Sequence, residues 1–558
     1  MGSGKEKVAE EGISERVVSP TSHAVEADSR LKEMGYKQEL KRSLGMLSVL
    51  GLAFAIMAPL LGLNTALNIA LTNGGPVTII WGWVLVSLVS LAIAASLAEI
   101  CSVFPTSGGV YYWSAMLSTP KYSALASYVN GWLSLAGNYT VTASITFSGA
   151  QLILAAITLW DESYVPTAWQ TVLTYWLCLI FSLSINVFFN SHLDKLNKVC
   201  LWWTGASVII IIVTLLVKAP RRNSAAYAFG EFDASASGYT PGWSFFVGLL
   251  QAAYTLTGYG KPLVSLSLRM VAALCEEVHA PERAVPKAMV LSVAAAFVTG
   301  VVYLVPLNFV LTNISDLLAV PSLQPMPLLF KLVVGSAGGA FGLLFLILGI
   351  WAFAAVGSLT AASRCTWSFS RDGGIPASGV WKKVDKRFGL PLNALILSAV
   401  VDALLGCIYF GSSAAFNAFT GVATICLGAS YMFPVMCSVL RRRELVKNAP
   451  FSLGRFGYAI NILTICWVSF SIVLFCMPTA IPVTPSSMNY ASVVFAGFTL
   501  IALLWYVFSA RKHYTGPAIS SVKTKDGVIQ VTEQYNSGDE PMSDDSPSAV
   551  EGVHPIRA

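Results

Sequence analysis

Residues 47–71 read LSVLGLAFAIMAPLLGLNTALNIAL, and they lie in a run of 56 residues between Arg42 and Glu99 that has no charged side chain. A helix that crosses a bilayer needs about 20 apolar residues, so this run predicts two membrane spans. Pro59 and Gly62 interrupt the first span, because proline lacks a backbone N–H group and glycine is a poor helix former. In lipid, such a break persists only where its backbone groups line a cavity or bind something.

A second interruption of the same kind lies in a later apolar segment, where residues 254–260 read YTLTGYG. Neither interrupted segment has a charged side chain before Lys261. Interrupted spans at corresponding positions in two halves of a chain are typical of the substrate site of a secondary transporter. The two stretches together predict a membrane carrier.

The composition agrees with this interpretation. Hydrophobic residues make up 55% and charged residues 11% of the chain, whereas soluble proteins have roughly 25% charged residues. The net charge of +6 comes from basic residues scattered through loops, so we expect no nucleic-acid partner. The ten cysteines lie almost wholly in apolar segments at uneven spacing, which predicts neither a disulfide framework nor a metal site. No cofactor or catalytic motif is recognisable, so we expect neither a cofactor nor an enzyme.

Apolar segments between charged positions predict an all-α membrane protein with twelve transmembrane helices. The predicted spans are 45–71, 76–103, 122–157, 169–189, 198–218, 242–260, 287–312, 334–363, 393–411, 415–439, 457–478 and 488–510. Together they form a transporter domain over residues 45–510. The tails, residues 1–44 and 511–558, are rich in charged and small polar residues, so we expect them to be disordered and cytoplasmic.

Basic residues mark the cytoplasmic side of the predicted membrane domain. The loops on the side of the two tails hold sixteen Lys and Arg residues, and the opposite loops hold four, so we expect cytoplasmic tails. The pattern Asn313-Ile314-Ser315 falls in an outside loop, where Asn313 would be a glycosylation site, whereas the similar pattern at residues 138–140 lies inside a span. The plasma membrane is the expected location, and the vacuole or another endomembrane is the alternative.

The interrupted spans also predict the chemistry of the substrate. The N-terminus of a half-helix carries partial positive charge that suits a carboxylate, and exposed carbonyl groups suit an ammonium group. A site built from backbone groups without side-chain charge therefore favours a small zwitterion. The alternative is that each kink only serves packing. Tyr254 could close over a substrate or only pack, and Trp351 and Phe353 could face the same cavity or lipid.

Two acidic residues inside predicted spans, Glu99 and Asp402, are the candidates for carrying a proton. Ionisable residues are costly in a bilayer and are mostly functional where they occur. For Glu99 the alternative is a packing role at the inner end of its helix, and for Asp402 it is a position near the membrane interface. The expected partners are protons, a small-molecule substrate and the lipid bilayer.

Longer motifs resemble a known family. Residues 99–113 read EICSVFPTSGGVYYW, which resembles the signature that follows the second helix in the amino acid–polyamine–organocation superfamily. Residues 275–286 (CEEVHAPERAVP) and 363–373 (SRCTWSFSRDG), with 391–394 and 482–490, are similar to fungal permeases of its amino acid/choline branch.

The resemblance implies two inverted five-helix repeats with unwound helices 1 and 6, followed by two C-terminal helices. It also implies a proton-driven permease for an amino acid, 4-aminobutyrate or choline. We expect import of a small amino acid or 4-aminobutyrate, with a choline permease or a non-transporting nutrient receptor of the same fold as alternatives. Matching the motifs assigns substrate binding to Ala58, Leu61, Gly62, Tyr254, Thr257, Gly258 and Gly260. Ala58 would offer a carbonyl to the amine, Leu61 and Gly62 would offer amides to the carboxylate, and Tyr254 would be an aromatic gate.

One departure from the family's pattern lies at residues 261–269, which read KPLVSLSLR. In the family, a stretch like Met270-Val271-Ala272 follows directly after the glycines of the second interruption. Nine added residues correspond to two and a half helical turns, so they would rotate the following residues to the opposite face. A loop that absorbs the insertion, a rebuilt inner half of helix six and a misread gene boundary are the three explanations.

Overall fold

The computed structural model describes residues 59–106, 108–258, 281–320, 324–385, 387–411, 415–484, 488–517, 521–525 and 528–532. The predictions for Ala58, for Gly260, for the insertion at residues 261–269 and for the N-terminal tail lie outside these residues.

Helices dominate the described residues. In chain order they are α1 (Pro59–Thr65), α2 (Leu67–Thr72), α3 (Gly75–Val103), α4 (Val110–Leu117), α5 (Ser123–Ile157), α6 (Ala168–Phe188), α7 (Leu193–Lys218), α8 (Ala225–Gly230), α9 (Pro241–Gly248), α10 (Leu250–Ala253), α11 (Pro281–Val310), α12 (Ile314–Leu318), α13 (Pro325–Val334), α14 (Ala337–Arg371), α15 (Ser378–Trp381), α16 (Leu392–Gly406), α17 (Ala415–Leu440), α18 (Gly457–Leu474), α19 (Ala491–Trp505) and α20 (Arg511–His513). Short 3₁₀ turns cover Asn190–His192, Cys407–Phe410 and Gly454–Phe456, and π-helical turns cover Tyr254–Gly258 and Tyr506–Ala510.

Within the described residues, ten helical segments are long and apolar enough to cross a membrane. They coincide with ten of the predicted spans, and the largest difference is that α14 continues to Arg371 instead of ending at residue 363. The other two predicted spans, 45–71 and 242–260, are the interrupted ones. The count of twelve stays a prediction, because the beginning of the first span lies outside the described residues.

Helix α5 forms the centre of the molecule. The most apolar stretch of α5 is 89% buried inside the protein, whereas the most apolar stretch of residues 491–513 is only 6% buried. Small residues allow other helices to approach α5 closely, since a Cβ atom on Gly149 would lie 1.9 Å from the Trp351 ring of α14. Glycine serves the same purpose in many membrane helix pairs. Helices α14 and α17 pack along α5, and α3 packs along α11.

The two interrupted segments lie inside this arrangement. Helix α1 contacts the π-helical turn Tyr254–Gly258, and it also contacts α10, α11, α13 and α14. The π-helical turn packs in addition against α3 and α17. Every residue of Pro59–Thr65 is buried. Tyr254, Thr255 and Leu256 are buried as well. These described parts of both interruptions are therefore enclosed by protein, which is the condition under which irregular backbone is stable at membrane depth.

Parts of the C-terminal tail lie among the described residues, and disorder over residues 511–558 as a whole stays a prediction. The last long helix continues through Tyr506–Ala510 into Arg511–His513, beyond residue 510. Strands β1 (Ser521–Lys525) and β2 (Val528–Thr532) then form an antiparallel hairpin in which Val522 pairs with Val531. We expected no folded structure there. The reason for the hairpin is local, because both strands are rich in the β-branched residues Val, Ile and Thr that favour extended backbone.

Candidate substrate site

Within the described residues, the first interruption lies one turn after Gly62. Leu60, Leu61 and Gly62 belong to the regular helix α1, and the irregular residue is Ala66, with φ −99° and ψ 10°, between α1 and α2. Leu60–Gly62 are therefore helical, and the start of the predicted interruption, at Ala58, lies outside the described residues. Leucine has high helix propensity, and a single glycine weakens a helix without ending it. The break occurs instead where side chains from other segments bind the backbone.

Two glutamines supply those side chains. The Nε2 atom of Gln251 donates to the Leu63 carbonyl over 2.8 Å, and the Nε2 atom of Gln324 donates to the Thr65 carbonyl over 3.4 Å. Gln324 also donates to Oε1 of Gln151 on α5 over 2.9 Å. A backbone carbonyl without a partner is costly at membrane depth. The glutamines therefore stabilise the irregular turn. They are functional candidates that our sequence reasoning missed, although Gln151 and Gln251, two glutamines inside predicted spans, were a signal.

The second interruption lies where the sequence predicts it. The chain passes from α9 and α10 into a π-helical turn over Tyr254–Gly258, which contains the predicted residues Tyr254, Thr257 and Gly258. Thr255 donates its hydroxyl proton to the Gln251 carbonyl over 2.7 Å. Single π-helical turns inside α-helices occur frequently at functional sites.

The two interruptions touch each other at Gly62 and Thr255. A Cβ atom on Gly62 would lie 2.7 Å from Oγ1 and 2.9 Å from Cγ2 of Thr255, closer than non-bonded atoms approach. Only glycine permits this distance between α1 and the π-helical turn. The structure thus brings Gly62 and the predicted gate region together, although the backbone around Gly62 is helical.

Tyr254 connects the π-helical turn to the central helix. Its ring is completely buried, and its hydroxyl donates to Oγ of Ser144 on α5 over 2.6 Å. Ser144 in turn donates to the Val141 carbonyl of its own helix. Trp351 is a packing residue: its Nε1 donates to the Ile145 carbonyl over 3.0 Å, and its ring stacks on Phe181 at 6.3 Å between centroids.

Asn64 is a further polar residue at the first interruption. It is completely buried on α1, and its Oδ1 accepts a hydrogen bond of 2.7 Å from the Tyr303 hydroxyl of α11. Its Nδ2 atom has no hydrogen-bond partner among the described residues. A buried amide donor of this kind normally has a partner. Asn64 is therefore a candidate donor to a ligand that our sequence reasoning did not single out.

Glu99 forms a buried ion pair. Nη2 of Arg443 lies 2.6 Å from Oε1 and 2.7 Å from Oε2 of Glu99, and the backbone N–H of Leu453 donates to Oε1 over 2.8 Å. Arg443 has φ 58°, in the left-handed region that residues other than glycine rarely adopt. These contacts connect the end of α3 to the loop between α17 and α18.

Asp402 has a different environment. It is completely buried in α16, and neither carboxyl oxygen has a hydrogen-bond partner among the described residues. A buried carboxyl group without a partner is rare in proteins, because ionisation there is costly.

The predicted glycosylation site is accessible. Asn313 is exposed, and its Oδ1 accepts a hydrogen bond from the Ser315 N–H at the start of α12. Asn138, in the second matching pattern, is only 2% exposed in the middle of α5.

Comparison with known proteins identifies the family. Residues 44–498 match the model of the family described as amino acid permease. The chain is 33% identical to Amino-acid permease BAT1 of Arabidopsis thaliana, over 88% of this chain and 95% of that protein. It is 34% identical to Polyamine transporter TPO5 of Saccharomyces cerevisiae, over 88% and 79% of the two chains. A Choline transporter of the same yeast is 30% identical over 85% and 83%. These matches confirm the superfamily that the motifs suggested, and the chain belongs to the amino acid permease family of multi-pass membrane proteins.

Proposed function

We propose that this protein is a proton-coupled secondary active transporter that imports a small amino acid or an amino-acid-like zwitterion such as 4-aminobutyrate. Its relatives are named as permeases and transporters of amino acids, polyamines and choline, rather than as enzymes. They support transport of a small amino-acid-like substrate, and the site chemistry is the basis for the narrower proposal.

The observation that carries the proposal is the neutrality of the two facing interruptions. Among the described residues, Pro59–Thr72 and Pro241–Gly258 contain no charged side chain. A polyamine carries several positive charges and needs carboxylates to replace its hydration. A zwitterion carries one charge of each sign, which helix dipoles, carbonyl groups and amide donors can balance. The described site therefore favours a zwitterion over a polyamine.

We assign the substrate contacts to the two interruptions. The backbone of Ala58, Leu61 and Gly62 serves the first half of the site, and that of Thr257, Gly258 and Gly260 serves the second. Asn64 adds a side-chain donor, because its free Nδ2 is suited to a carboxylate oxygen. Tyr254 acts as the gate, since its bond to Ser144 links the π-helical turn to α5 and would change when the segment moves.

Choline is the alternative substrate that one relative suggests. A quaternary ammonium group is usually held in a cage of aromatic rings. Of the three aromatic candidates for such a cage, Trp351 stacks on Phe181, Tyr254 bonds Ser144, and Tyr259 lies outside the described residues. This arrangement favours the zwitterion. A nutrient receptor that binds without transporting remains the alternative of a different class.

Uptake measurements test the proposal. The full-length chain is expressed in a host that lacks its own permeases, and accumulation of radiolabelled amino acids, 4-aminobutyrate, choline and a polyamine is measured with and without a protonophore. Accumulation of a zwitterion that the protonophore abolishes is the expected result. Uptake of choline alone would favour the choline permease, and saturable binding without accumulation would favour the receptor. Fluorescent tagging in the same cells tests the proposed plasma-membrane location.

A further inference from the structure

Asp402 lies on α16, which packs against α5, α6 and α14. In the described part of the chain three charged side chains are buried: Asp402, Glu99 and Arg443. Glu99 and Arg443 pair with each other at 2.6 Å. Asp402 therefore has no counter-charge among the buried residues that the structure describes, and its two carboxyl oxygens have no hydrogen-bond partner there.

Two hydroxyl groups close to Asp402 in the fold, on α6 and α16, donate their protons elsewhere. Tyr175 of α6 donates over 2.7 Å to the backbone carbonyl of Asp402, rather than to its carboxyl group. Ser398 lies one turn before Asp402 on the same face of α16, and it donates to the Ala394 carbonyl over 2.9 Å. A hydroxyl group has one proton to donate, so neither residue has a second one for Asp402.

The hydroxyl groups of Tyr139 on α5 and Thr366 on α14 also donate their protons to other acceptors. Thr366 donates to the Ala362 carbonyl over 2.8 Å. Its oxygen lies 2.9 Å from the Tyr139 hydroxyl and 3.2 Å from Oγ of Ser398. With the Thr366 proton on the Ala362 carbonyl, Tyr139 is the donor in the first of these contacts. We call Tyr139, Thr366, Ser398 and Asp402 the cluster. Its oxygen atoms can accept further hydrogen bonds, but each of its hydroxyl protons is already donated to another acceptor.

We propose that Asp402 is the binding site of the proton that drives transport, an inference that rests on the proposed proton-coupled import. A carboxylate would add two more acceptors and an unbalanced charge to a cluster without spare donors. A carboxylic acid carries no charge, so a bound proton removes the unbalanced buried charge without needing a hydrogen-bond donor from the cluster. A proton from water forms the O–H bond on one side of the membrane, and the same bond breaks to return the proton to water on the other side.

Glu99 does not fit this role. Both of its oxygens accept hydrogen bonds from Arg443, and one also accepts from the Leu453 N–H. Protonation of Glu99 would leave a buried guanidinium group without its partner, which is costly. Asp402 loses no such partner when it binds a proton.

The other titratable groups around the cluster are neutral. Within the described residues, Tyr139 on α5 interacts electrostatically with Asp402 and with Cys365 on α14. Tyr175 on α6 interacts with Asp402 and also with Cys178 and Cys407. Tyrosine and cysteine side chains are uncharged at physiological pH, because their ordinary pKa values lie above it. Asp402 is therefore the group whose charge changes in this part of the described structure.

Helix α5 joins the cluster to the candidate substrate site. It contributes Tyr139 to the cluster and, little more than one turn further, Ser144 to the hydrogen bond with Tyr254. Helix α14 makes a second connection, because it carries Thr366 and also Trp351, which bonds the Ile145 carbonyl of α5. A movement of α5 and α14 that opens the substrate site therefore also changes the surroundings of Asp402.

The test uses the full-length protein in proteoliposomes that contain a pH-sensitive dye. The added substrate is 4-aminobutyrate or whichever panel compound the wild type accumulates in cells. Wild-type protein should acidify the lumen when substrate enters. Asp402→Asn, which keeps the size but stays neutral, should exchange labelled for unlabelled substrate without any acidification. Asp161→Asn, a control on the exposed loop after α5, should acidify the lumen as the wild type does.

Acidification by Asp402→Asn equal to that of the wild type would overturn the inference. Substrate uptake by the wild type that depends on a sodium gradient and not on a proton gradient would overturn it as well. If Asp402→Asn loses substrate exchange as well as acidification, the variant Asp402→Glu, which keeps a carboxyl group, distinguishes the two explanations. Exchange with acidification in that variant supports a carboxyl group as the proton site, and exchange without acidification refutes it. A wild type that accumulates no panel compound would reject the proposed function itself.

Discussion

The lack of a side chain at Gly62 allows the close contact between the two interrupted segments. The atoms nearest to a Cβ placed on Gly62 all belong to Thr255, at 2.7, 2.9 and 3.1 Å. Both residues are buried, so neither can move into solvent. The position therefore tolerates no added methyl group without displacement of the π-helical turn.

Gly62→Ala should reduce uptake strongly. The new methyl group must push Thr255 and its turn away, and overpacking of this kind costs about 1–3 kcal/mol. Initial uptake rates at matched surface expression measure the effect. The double variant Gly62→Ala with Thr255→Ala should regain much of the activity, because it removes the atoms that the methyl group meets.

Gly205→Ala is the matched control for that substitution. Gly205 lies in α7, and a Cβ atom there would meet nothing within 4 Å. Its uptake should equal that of the wild type. If Gly62→Ala and Gly205→Ala transported equally well, the close contact would have no role in function.

Tyr254 allows the ring and the hydroxyl group to be tested separately. Tyr254→Phe loses one hydrogen bond, worth about 1 kcal/mol, and leaves Ser144 bonded to the Val141 carbonyl. We expect most of the uptake to remain. Tyr254→Ala removes the ring and leaves a cavity, so uptake should fall by more than tenfold, corresponding to roughly 2–5 kcal/mol of lost packing. Ser144→Ala should resemble Tyr254→Phe, and a loss of uptake in Tyr254→Phe as large as in Tyr254→Ala would assign the role to the hydroxyl group.

At the scale of elements, the end of α3 holds the loop between α17 and α18. The Glu99–Arg443 pair is the centre of this contact. Ser102 adds to it, because its hydroxyl accepts a hydrogen bond of 3.4 Å from the Phe451 N–H. Glu99 and Ser102 open the motif at residues 99–113 that carries the family resemblance. The beginning of that motif thus has a structural role in joining two parts of the chain that are distant in sequence.

Glu99→Gln should destabilise the protein by about 3–5 kcal/mol, the cost of leaving one partner of a buried ion pair alone. Thermal unfolding of the detergent-solubilised protein and surface expression measure the effect. Arg443→Met should be comparably unstable. The double variant should be more stable than either single one, because it contains no unpaired buried charge. Additive losses in the double variant would show that the two residues do not act as a pair.

The ends of the helices could be predicted, but the site of the first interruption could not. Charged and glycine-rich positions such as Lys218 and Gly74 limit the apolar segments, and local sequence contains that information. The irregular turn at Ala66 depends on Gln251 and Gln324, which are distant in sequence. Likewise, the unpaired state of Asp402 depends on where Tyr175 and Ser398 direct their protons. Such contacts become visible only when the segments are packed.

At the scale of the whole molecule, burial separates a protein-lined interior from an apolar exterior. The most apolar stretch of residues 491–513 is only 6% buried, and the exposed residues there include Val493, Leu500 and Phe508. Exposed apolar residues along a long helix are suited to contact with lipid acyl chains. The basic residues lie in the loops, sixteen on one side and four on the other in the predicted topology. The orientation therefore depends on the loops, and it can be tested there.

The loop with Asn313 should face the outside and the loop with Lys383 should face the cytoplasm. Both side chains are exposed in the structure, so the membrane alone decides which reagent reaches them. In a glycosylating host, removal of N-linked glycans should increase the gel mobility of the wild type but not of Asn313→Gln. Asn138→Gln should behave as the wild type does, because the buried Asn138 is not a substrate for the transferase.

Cysteine labelling provides the independent measurement of the same topology. In sealed cells, a membrane-impermeant maleimide should label Arg222→Cys, an exposed position on the predicted outer side, above the background of the ten native cysteines. Lys383→Cys should be labelled only after permeabilisation, because the loop between α14 and α16 carries much of the basic charge that the cytoplasmic side retains. Labelling of Lys383→Cys in sealed cells, together with an unglycosylated Asn313, would reverse the orientation and with it the direction in which Asp402 passes its proton.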